Sequence, residues 1–383
     1  MITVNKSYLQ PKRVAIDLGT LDEDLLLKNI HDEVTIGEPL LKEVTHEPFS
    51  PLSGKVMQII TKQDENNQDT LSLIIENDFK NTVYKPLVKK PIDELIVTYF
   101  KPTSDLERLN YKKNMPLIVN LVHENEPFVS LDPKMIDEMK DDLLSTLASM
   151  HSMWQYREII ILTKEGIRTK WFSSMNLPIT VKKIKLEKHI DAVYKIINKT
   201  FNNALYHKKT YNYLTLNSII KLTDMITHHR PSILTQLTIS GDAINNPMVL
   251  SVRIGTLFSE LIRVFNGFKN HETITLHKNR IIENNVILHE QFSITETLSS
   301  IHAQAYKERE VYDCIKCGSC NDICPVGILP SKIMHSLNQG IALDYMKSNV
   351  CIECGLCAYI CPSKIPVMHY VKEAKKILKG DQS

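Results

Sequence analysis

The sequence predicts a multidomain α/β chain that ends in an α-helical module, and three observations carry that prediction. All eight cysteines fall within the last 70 of 383 residues. A strand–helix–strand pattern runs through the middle, from PLIVNLV at 116–122 to EIIILT at 158–163. Short β-rich runs occupy 34–60, and alternating apolar residues return at 233–262. A chain of this length is expected to divide into two to four domains. The expected units are 1–88, 89–215, 216–300 and 301–383.

Bulk composition narrows the function classes. An apolar content of 43% and a charged content of 23% are ordinary for a soluble globular chain. The net charge of +2 gives no global case for a nucleic-acid partner. No apolar run approaches 18 residues, so no transmembrane segment is expected. The start, MITVNKSYLQPKRVAID, lacks the apolar block of a signal peptide. The expected location is cytoplasmic, with peripheral docking on the inner face of a membrane left open.

The elements follow in order. VTIGEPLLKEVTHEPFSPLSGKVMQII, residues 34–60, alternates short strands with turns at Pro48, Pro51 and Ser53-Gly54. This is the pattern of the small barrel-sandwich hybrid found in biotinyl and lipoyl carriers. Lys55 follows Gly54, but the flanking pattern of a modified carrier lysine is absent, so Lys55 reads as structural. The run 116–122 is a buried strand, a helix is expected from Pro133 to Met150, and 158–163 is a second strand. Together they make a βαβ unit on a parallel sheet. Another helix is expected over 188–203, and the lysines of VKKIKLEKH before it read as the polar side of a strand and a helix start. His228-His229-Arg230 forms a basic cluster that lacks a third metal ligand. In 233–262, two strands flank a turn at Asn245-Asn246-Pro247 and a helix follows Gly255-Thr256, a small β-grasp-like unit.

The cysteines form two blocks of C-x-x-C-x-x-C-x-x-x-C-P. The first holds Cys314, Cys317, Cys320, Cys324 and Pro325; the second holds Cys351, Cys354, Cys357, Cys361 and Pro362. Three thiolates spaced two residues apart wrap one iron–sulfur cube, and the fourth ligates the other cluster of the pair. The spacing therefore predicts two [4Fe–4S] clusters, one on Cys314, Cys317, Cys320 and Cys361, the other on Cys351, Cys354, Cys357 and Cys324. Structural zinc is usually held by two separated C-x-x-C pairs, which the tripled runs fit poorly. Disulfides would need an oxidising compartment, which nothing in the chain suggests. Gly318 and Gly355 take the same place in each block, where the backbone bends around inorganic sulfide. Between the blocks, two short helices are expected on either side of Gly340, and VMHYVKEAKKILKG forms a last helix.

The order of these pieces resembles the C-subunit of the Rnf electron-transport complex. It also resembles the related cobalamin-reducing flavoproteins and, more distantly, the NADH-binding flavoprotein subunit of respiratory complex I. PFSPLSGKV resembles the family's sandwich signature, and PLIVNLVHENEPFVSLD its strand and acidic loop. LTISGDAINNPMVLSVRIGT resembles its soluble-ligand-binding β-grasp (SLBB-like) domain. The resemblance implies a degenerate Rossmann-like domain at 89–215 and a dicluster ferredoxin domain at 301–383. It also implies a redox protein partner, membrane-bound or flavin-bearing.

One departure matters. The family's GGAGFPT segment cradles flavin and nicotinamide phosphates, and here the corresponding stretch is VTYFKPTSDLERL, residues 97–109. No glycine occurs between Gly54 and Gly166. Side chains at Phe100 and Lys101 fill the volume that a pyrophosphate needs. This argues against bound FMN or NADH. Lys101, Glu124 and Glu126 are the residues left from such a site; the alternative is that the carboxylates cap or pair at the sheet edge and the lysine is solvated. Three readings stay open: an electron relay subunit, a flavin- and NADH-dependent oxidoreductase with an altered site, and a corrinoid reductase or its partner.

Overall fold

The computed structural model describes residues 5–8, 10–19, 23–42, 48–63, 69–85, 113–122, 133–184, 211–270, 273–278, 286–287, 292–296, 298–305, 310–324, 326–341, 345–351 and 353–380. The described residues form three sheets and a helical C-terminal module, a mixed α/β architecture.

Strand β1 (Asn5–Tyr8) leaves its neighbours in sequence and joins a later sheet. The next four strands are β2 (Arg13–Gly19), β3 (Glu33–Val34), β4 (Gly54–Gln63) and β5 (Asp69–Asn77). They form an antiparallel sheet in the order β2-β5-β4-β3. Alternate residues Leu71, Leu73 and Ile75 point into a core with Val14, Ile16, Leu40, Leu52 and Val56. Lys55 sits within this ladder, opposite Glu33 on one side and Glu76 on the other.

Gly54 explains the turn signal at its position. It pairs with Asn77, and a Cβ added there would lie 1.8 Å from the carbonyl oxygen of Glu76. The clash is with backbone, which cannot swing aside. Gly54→Ala is expected to lower stability by about 4 kcal/mol, at the upper end of single substitutions. Urea unfolding that leaves the midpoint unchanged would refute this.

The second sheet is parallel throughout. Its strands are β6 (Pro116–Asn120), β7 (Glu158–Thr163), β8 (Ile179–Lys183) and β9 (Asn212–Thr215), in the order β8-β7-β6-β9. The helix expected over 133–150 is two helices, Pro133–Glu138 and Lys140–Trp154, interrupted at Met139. Leu143, Leu147, Met150 and Trp154 recur at helical spacing and are buried, and Asp141 and Asp142 favour the N-terminal dipole end. A further helix, Leu216–Ile226, is capped by Thr215, whose hydroxyl accepts the Ser218 N–H at 3.3 Å.

The two faces of this sheet explain its unbroken apolar strands. Leu117, Val119, Ile159 and Ile161 pack under the helices Lys140–Trp154 and Leu216–Ile226. Ile118, Val122, Ile160 and Leu162 face the other way and pack directly on Val326, Ile328, Ile333, Val371 and Ala374 of the cysteine module. The module is therefore a layer of the fold, seated on the sheet.

The third sheet contains β10 (Leu234–Ser240), β11 (Met248–Arg253), β12 (Ile274–Lys278), β13 (Val286–Ile287) and β14 (Ser300–Ala305), in the order β1-β11-β10-β14-β12-β13. Strands β10 and β11 are antiparallel across the turn expected at Asn245-Pro247, and a short helix, Phe258–Leu261, follows Gly255-Thr256. Arg253 donates to the Pro51 carbonyl, and the Arg13 N–H of β2 donates to Glu260 at 3.2 Å, tying the first and third sheets together.

Two expected boundaries do not follow these sheets. Residues 5–8, placed in the unit 1–88, pair with Val249–Val252 of the third sheet. The helix Leu216–Ile226, placed in the unit 216–300, buries Leu216, Ile219, Leu222 and Met225 against the parallel sheet. Neither pairing leaves a local signal, because both partners lie far away in sequence. The helix expected over 188–203 lies outside the described residues. His228-His229-Arg230 closes the helix Leu216–Ile226: Arg230 donates two bonds to Asp224, at 2.8 and 2.7 Å, and His228 lies 3.9 Å from Asp142.

Candidate metal centre

The two cysteine blocks fold as two copies of one unit. Lys316 and Glu353, 37 positions apart, both adopt left-handed backbone, with φ of 56° and 57°. Gly318 and Gly355 follow at 78° and 76°. Each glycine starts a one-turn helix, Ser319–Asp322 in the first unit and Leu356–Tyr359 in the second. Gly327 and Lys364, at 67° and 58°, end the turn that leads to the longer helices Pro330–Gln339 and Val367–Gly380. All of these pairs keep the same offset of 37. The left-handed lysines and glutamate cost of order 1–3 kcal/mol each and persist where surroundings dictate them. Here they turn backbone N–H groups toward sulfur: Glu353 N–H lies 3.3 Å from Cys351 Sγ.

Gly340 ends the first long helix, as expected, with φ 66°. The Ile341 N–H reaches back to the Ser336 carbonyl at 2.8 Å, the bond of a Schellman cap. The segment after it, expected as a second short helix, is a 3₁₀ helix at Tyr345–Val350.

The units cross over one another. A cavity of about 300 Å³ is lined by Cys314, Cys317, Cys320 and Cys361, together with Asn321, Ser331, Met334 and His335. Cys324, from the first block, is not among its lining residues. Cys324 packs beside Cys351 in the apolar layer against the parallel sheet. Cys357 is buried, and the charges of Cys354, Cys351 and Cys324 bear on it. Cys314, Cys317, Cys320 and Cys361 thus line one cavity, and Cys324, Cys351 and Cys354 lie near Cys357, which also packs in one apolar cluster with Cys361. The two sites differ in access: Cys317 is exposed, while Cys357 is 8% exposed.

The thiols reflect these surroundings. Burial pushes Cys320, Cys324, Cys351 and Cys357 above the usual thiol range. At Cys351 the Glu353 N–H and the Lys375 ammonium oppose that shift. Cys317 is held low, first by the Ser319 hydroxyl and then by the Ser319 N–H. A single zinc ion holds thiolates about 3.8 Å apart, as its Zn–S distance and tetrahedral angle require. Among the described residues no three His, Cys, Asp or Glu side chains are grouped to hold one metal ion. A cube puts its irons at separate corners and holds its four sulfurs wider. An all-thiol set around a cavity of this size fits a [4Fe–4S] cluster.

Several polar partners of the blocks are not legible from the cysteine motif. Asn321 Nδ2 donates to Ser331 Oγ at 2.8 Å, and Asn321 Oδ1 accepts the Ser331 N–H at 3.1 Å and the Ser331 hydroxyl at 3.0 Å. Lys375 Nζ donates to the Cys351 carbonyl at 3.0 Å and pairs with Glu353 at 2.5 Å. Aligning the blocks at their 37-residue offset marks Ser319 against Leu356 and Asn321 against Ala358, which was the available signal. Lys101, Glu124 and Glu126 lie outside the described residues. Asn120, which precedes the acidic loop, is fully buried, donates to Tyr213 Oη at 2.7 Å and accepts the Val122 N–H at 3.0 Å. A smaller cleft of about 100 Å³, lined by Asp17, Ser232 and Glu296 among others, contains none of the predicted site residues.

Residues 313–365 match the 4Fe-4S dicluster domain family. The C-subunit of the ion-translocating oxidoreductase complex of Buchnera aphidicola is 26% identical over 57% of this chain and 45% of its own. The chain is related to the C-subunits of such complexes. The protein of the same name from Methanosarcina acetivorans is 28% identical over 31% of this chain and 27% of its own. That of Vibrio cholerae is 31% identical over 31% of this chain and 16% of its own. The chain spans less than half the length of these C-subunit relatives. An NAD+-reducing [NiFe]-hydrogenase in its air-oxidised state gives a TM-score of 0.40 at 8% identity, over 70% of this chain and 48% of that one, too low to carry an argument. The dicluster domain and the C-subunit relatives support an iron–sulfur electron-transfer role. Among the described residues no helix is long and apolar enough to cross a membrane.

Proposed function

We propose that this chain is an electron-transfer subunit that relays single electrons between a soluble donor and a redox protein partner through two [4Fe–4S] clusters. Cys314, Cys317, Cys320 and Cys361 hold one cluster; Cys351, Cys354, Cys357 and Cys324 hold the other. When bound, such clusters supply one-electron redox chemistry and no bond making. The observation that carries the reading is the cavity that joins Cys361 to the first block and leaves out Cys324. The left-handed turns in both units supply backbone N–H groups, and the layer of Val326, Ile328, Ile333 and Val371 keeps water from the second foursome.

The barrel-sandwich hybrid, the degenerate Rossmann-like domain and the SLBB-like β-grasp domain are the roles we assign to the three sheets in turn. They form the body that holds the cluster module and offers it to a partner. By analogy with the C-subunit relatives, that partner belongs to an oxidoreductase complex at the cytoplasmic face of a membrane, and this chain docks there peripherally. The absence of glycine from 55–165 supports a body without its own FMN or NADH site.

The test is anaerobic purification followed by iron, sulfide and flavin determination. The expected content is about eight irons and about eight sulfides per chain, with no flavin and no bleaching of the clusters by NADH. Stoichiometric flavin together with NADH bleaching would replace this reading with a flavin-dependent oxidoreductase.

A further inference from the structure

Lys375 joins parts of the second unit that no motif links. It lies on the helix Val367–Gly380, 24 positions after Cys351. Its ammonium donates to the Cys351 carbonyl at 3.0 Å and to the Glu353 carboxylate at 2.5 Å. Between those two acceptors the backbone turns through Glu353, which has a left-handed φ of 57°. The turn brings the Glu353 N–H to 3.3 Å from Cys351 Sγ. One lysine therefore grips both ends of the turn whose N–H group is aimed at sulfur.

The grip has a firm backing. Val371 and Ala374, on the same helix as Lys375, are fully buried and pack with Ile118 and Ile160 of the parallel sheet. Cys351 and its neighbour Val350 pack on the same layer. The Lys375 side chain is 22% exposed and that of Glu353 29%, so salt screens this pair less than one on the open surface. Lys372, one turn earlier, stands 4.0 Å from the same carboxylate. An ammonium is a point charge on a flexible stem, and here two acceptors on one turn fix its place.

The first unit cannot repeat this arrangement. At the 37-residue offset, Lys316 takes the place of Glu353 and Asn338 that of Lys375. Lys316 has the same left-handed backbone, with φ 56°, but among the described residues no N–H bond from it to Cys314 accompanies the turn. The backbone turn is common to both units. The bond to sulfur occurs where the lysine grips the turn.

We infer that Lys375 is the positioning residue of the second-block site: through the Cys351 carbonyl and the Glu353 carboxylate it holds the Glu353 N–H on the Cys351 sulfur, and so sets that site's reduction potential. This rests on the two-cluster reading above. A hydrogen bond to sulfur stabilises the more negative, reduced state of a cluster, and such bonds are among the determinants of its potential.

The test is an anaerobic redox titration of the full, cluster-loaded chain, followed by electron paramagnetic resonance. The second-block resonance is the one that Cys354→Ser removes, since Cys354 belongs to that block however the fourth ligands are shared. Lys375→Met is expected to lower the reduced-to-oxidised ratio of this site at least tenfold at fixed potential, which is 59 mV for a one-electron couple. The first-block step is expected to stay in place. Lys375→Arg, which keeps a cationic donor, is expected to restore most of the shift. Lys372→Met removes an equal charge but leaves both bonds of Lys375, and is expected to leave the step where it is. Should Lys375→Met lose iron, Lys375→Gln carries the measurement. An unmoved second-block step, an equal move of both steps, or an equal shift with Lys372→Met would overturn the inference while wild type holds about eight irons. So would loss of second-block iron from both Lys375→Met and Lys375→Gln, because the lysine would then retain metal and not tune it. Wild-type iron near four or zero sinks the two-cluster reading itself, and the inference with it.

Discussion

Cys324→Ser is expected to cost the protein about half its iron, and the half lost is the site of the second block, not of the first. Within one linear motif this is counter-intuitive, since Cys324 follows Cys320 by four residues. The reason is spatial. Cys324 packs beside Cys351 against the parallel sheet, while the cavity of the first block closes on Cys361 instead. Cys361→Ser is the mirror case and should spare the second-block site. Each variant removes one of four ligands, so iron is expected to fall from about eight to about four per chain. The resonance of the partner site should be unchanged. Iron analysis with site-resolved spectroscopy checks both. Loss of the first-block signal in Cys324→Ser would mean that each block closes on its own cluster.

Iron removal is expected to unfold the C-terminal module and leave the three sheets standing. The module's own core is small: Met334, Ile365, Val367 and Met368 pack with Cys357 and Cys361. Two of these six buried side chains are cysteines. Burial pushes the Cys357 and Cys351 thiols up, so thiolates form there as metal takes their charge, and binding energy becomes folding energy. The cores beneath the other layers, built around Leu73, Leu147 and Leu250, contain no cysteine. Calorimetry of chelated protein should therefore show a transition missing or moved by tens of degrees, with the remaining one retained. Chelation also bares Ile118, Val122, Ile160 and Leu162, the sheet face that the module covers. A rise in binding of an apolar dye should accompany the loss of helix. A single transition, unmoved by chelation, would show that the module folds without metal.

Much of the site was legible in residues 313–365, because cluster ligation is a local demand on spacing. A run of C-x-x-C-x-x-C has few other uses, and Gly318, Gly355 and Gly340 adopt the left-handed backbone their positions suggested. The parallel βαβ pattern and the hairpin at Asn245-Pro247 were legible for a similar reason: strand and helix periods are written in consecutive residues. The helical repeat of the module was less so. Pro330–Gln339 and Val367–Gly380 begin 37 positions apart, yet they share little beyond apolar spacing.

By itself the sequence determined the two cysteine blocks and their spacing, the parallel strand–helix–strand order, and the absence of glycine between Gly54 and Gly166. Those are properties of residue type and of short-range spacing. Only the tertiary structure decided that β1 crosses to the third sheet and that the helix Leu216–Ile226 packs under the second. It also decided that the cysteine module is seated on Ile118 and Ile160, and that Ser331 and Asn321 line the same cavity as Cys320. Each of these contacts joins residues with no periodic or motif relation to one another. What selects them is the burial of apolar faces and the pairing of polar groups once the chain is compact, and that selection leaves no mark on either segment read alone.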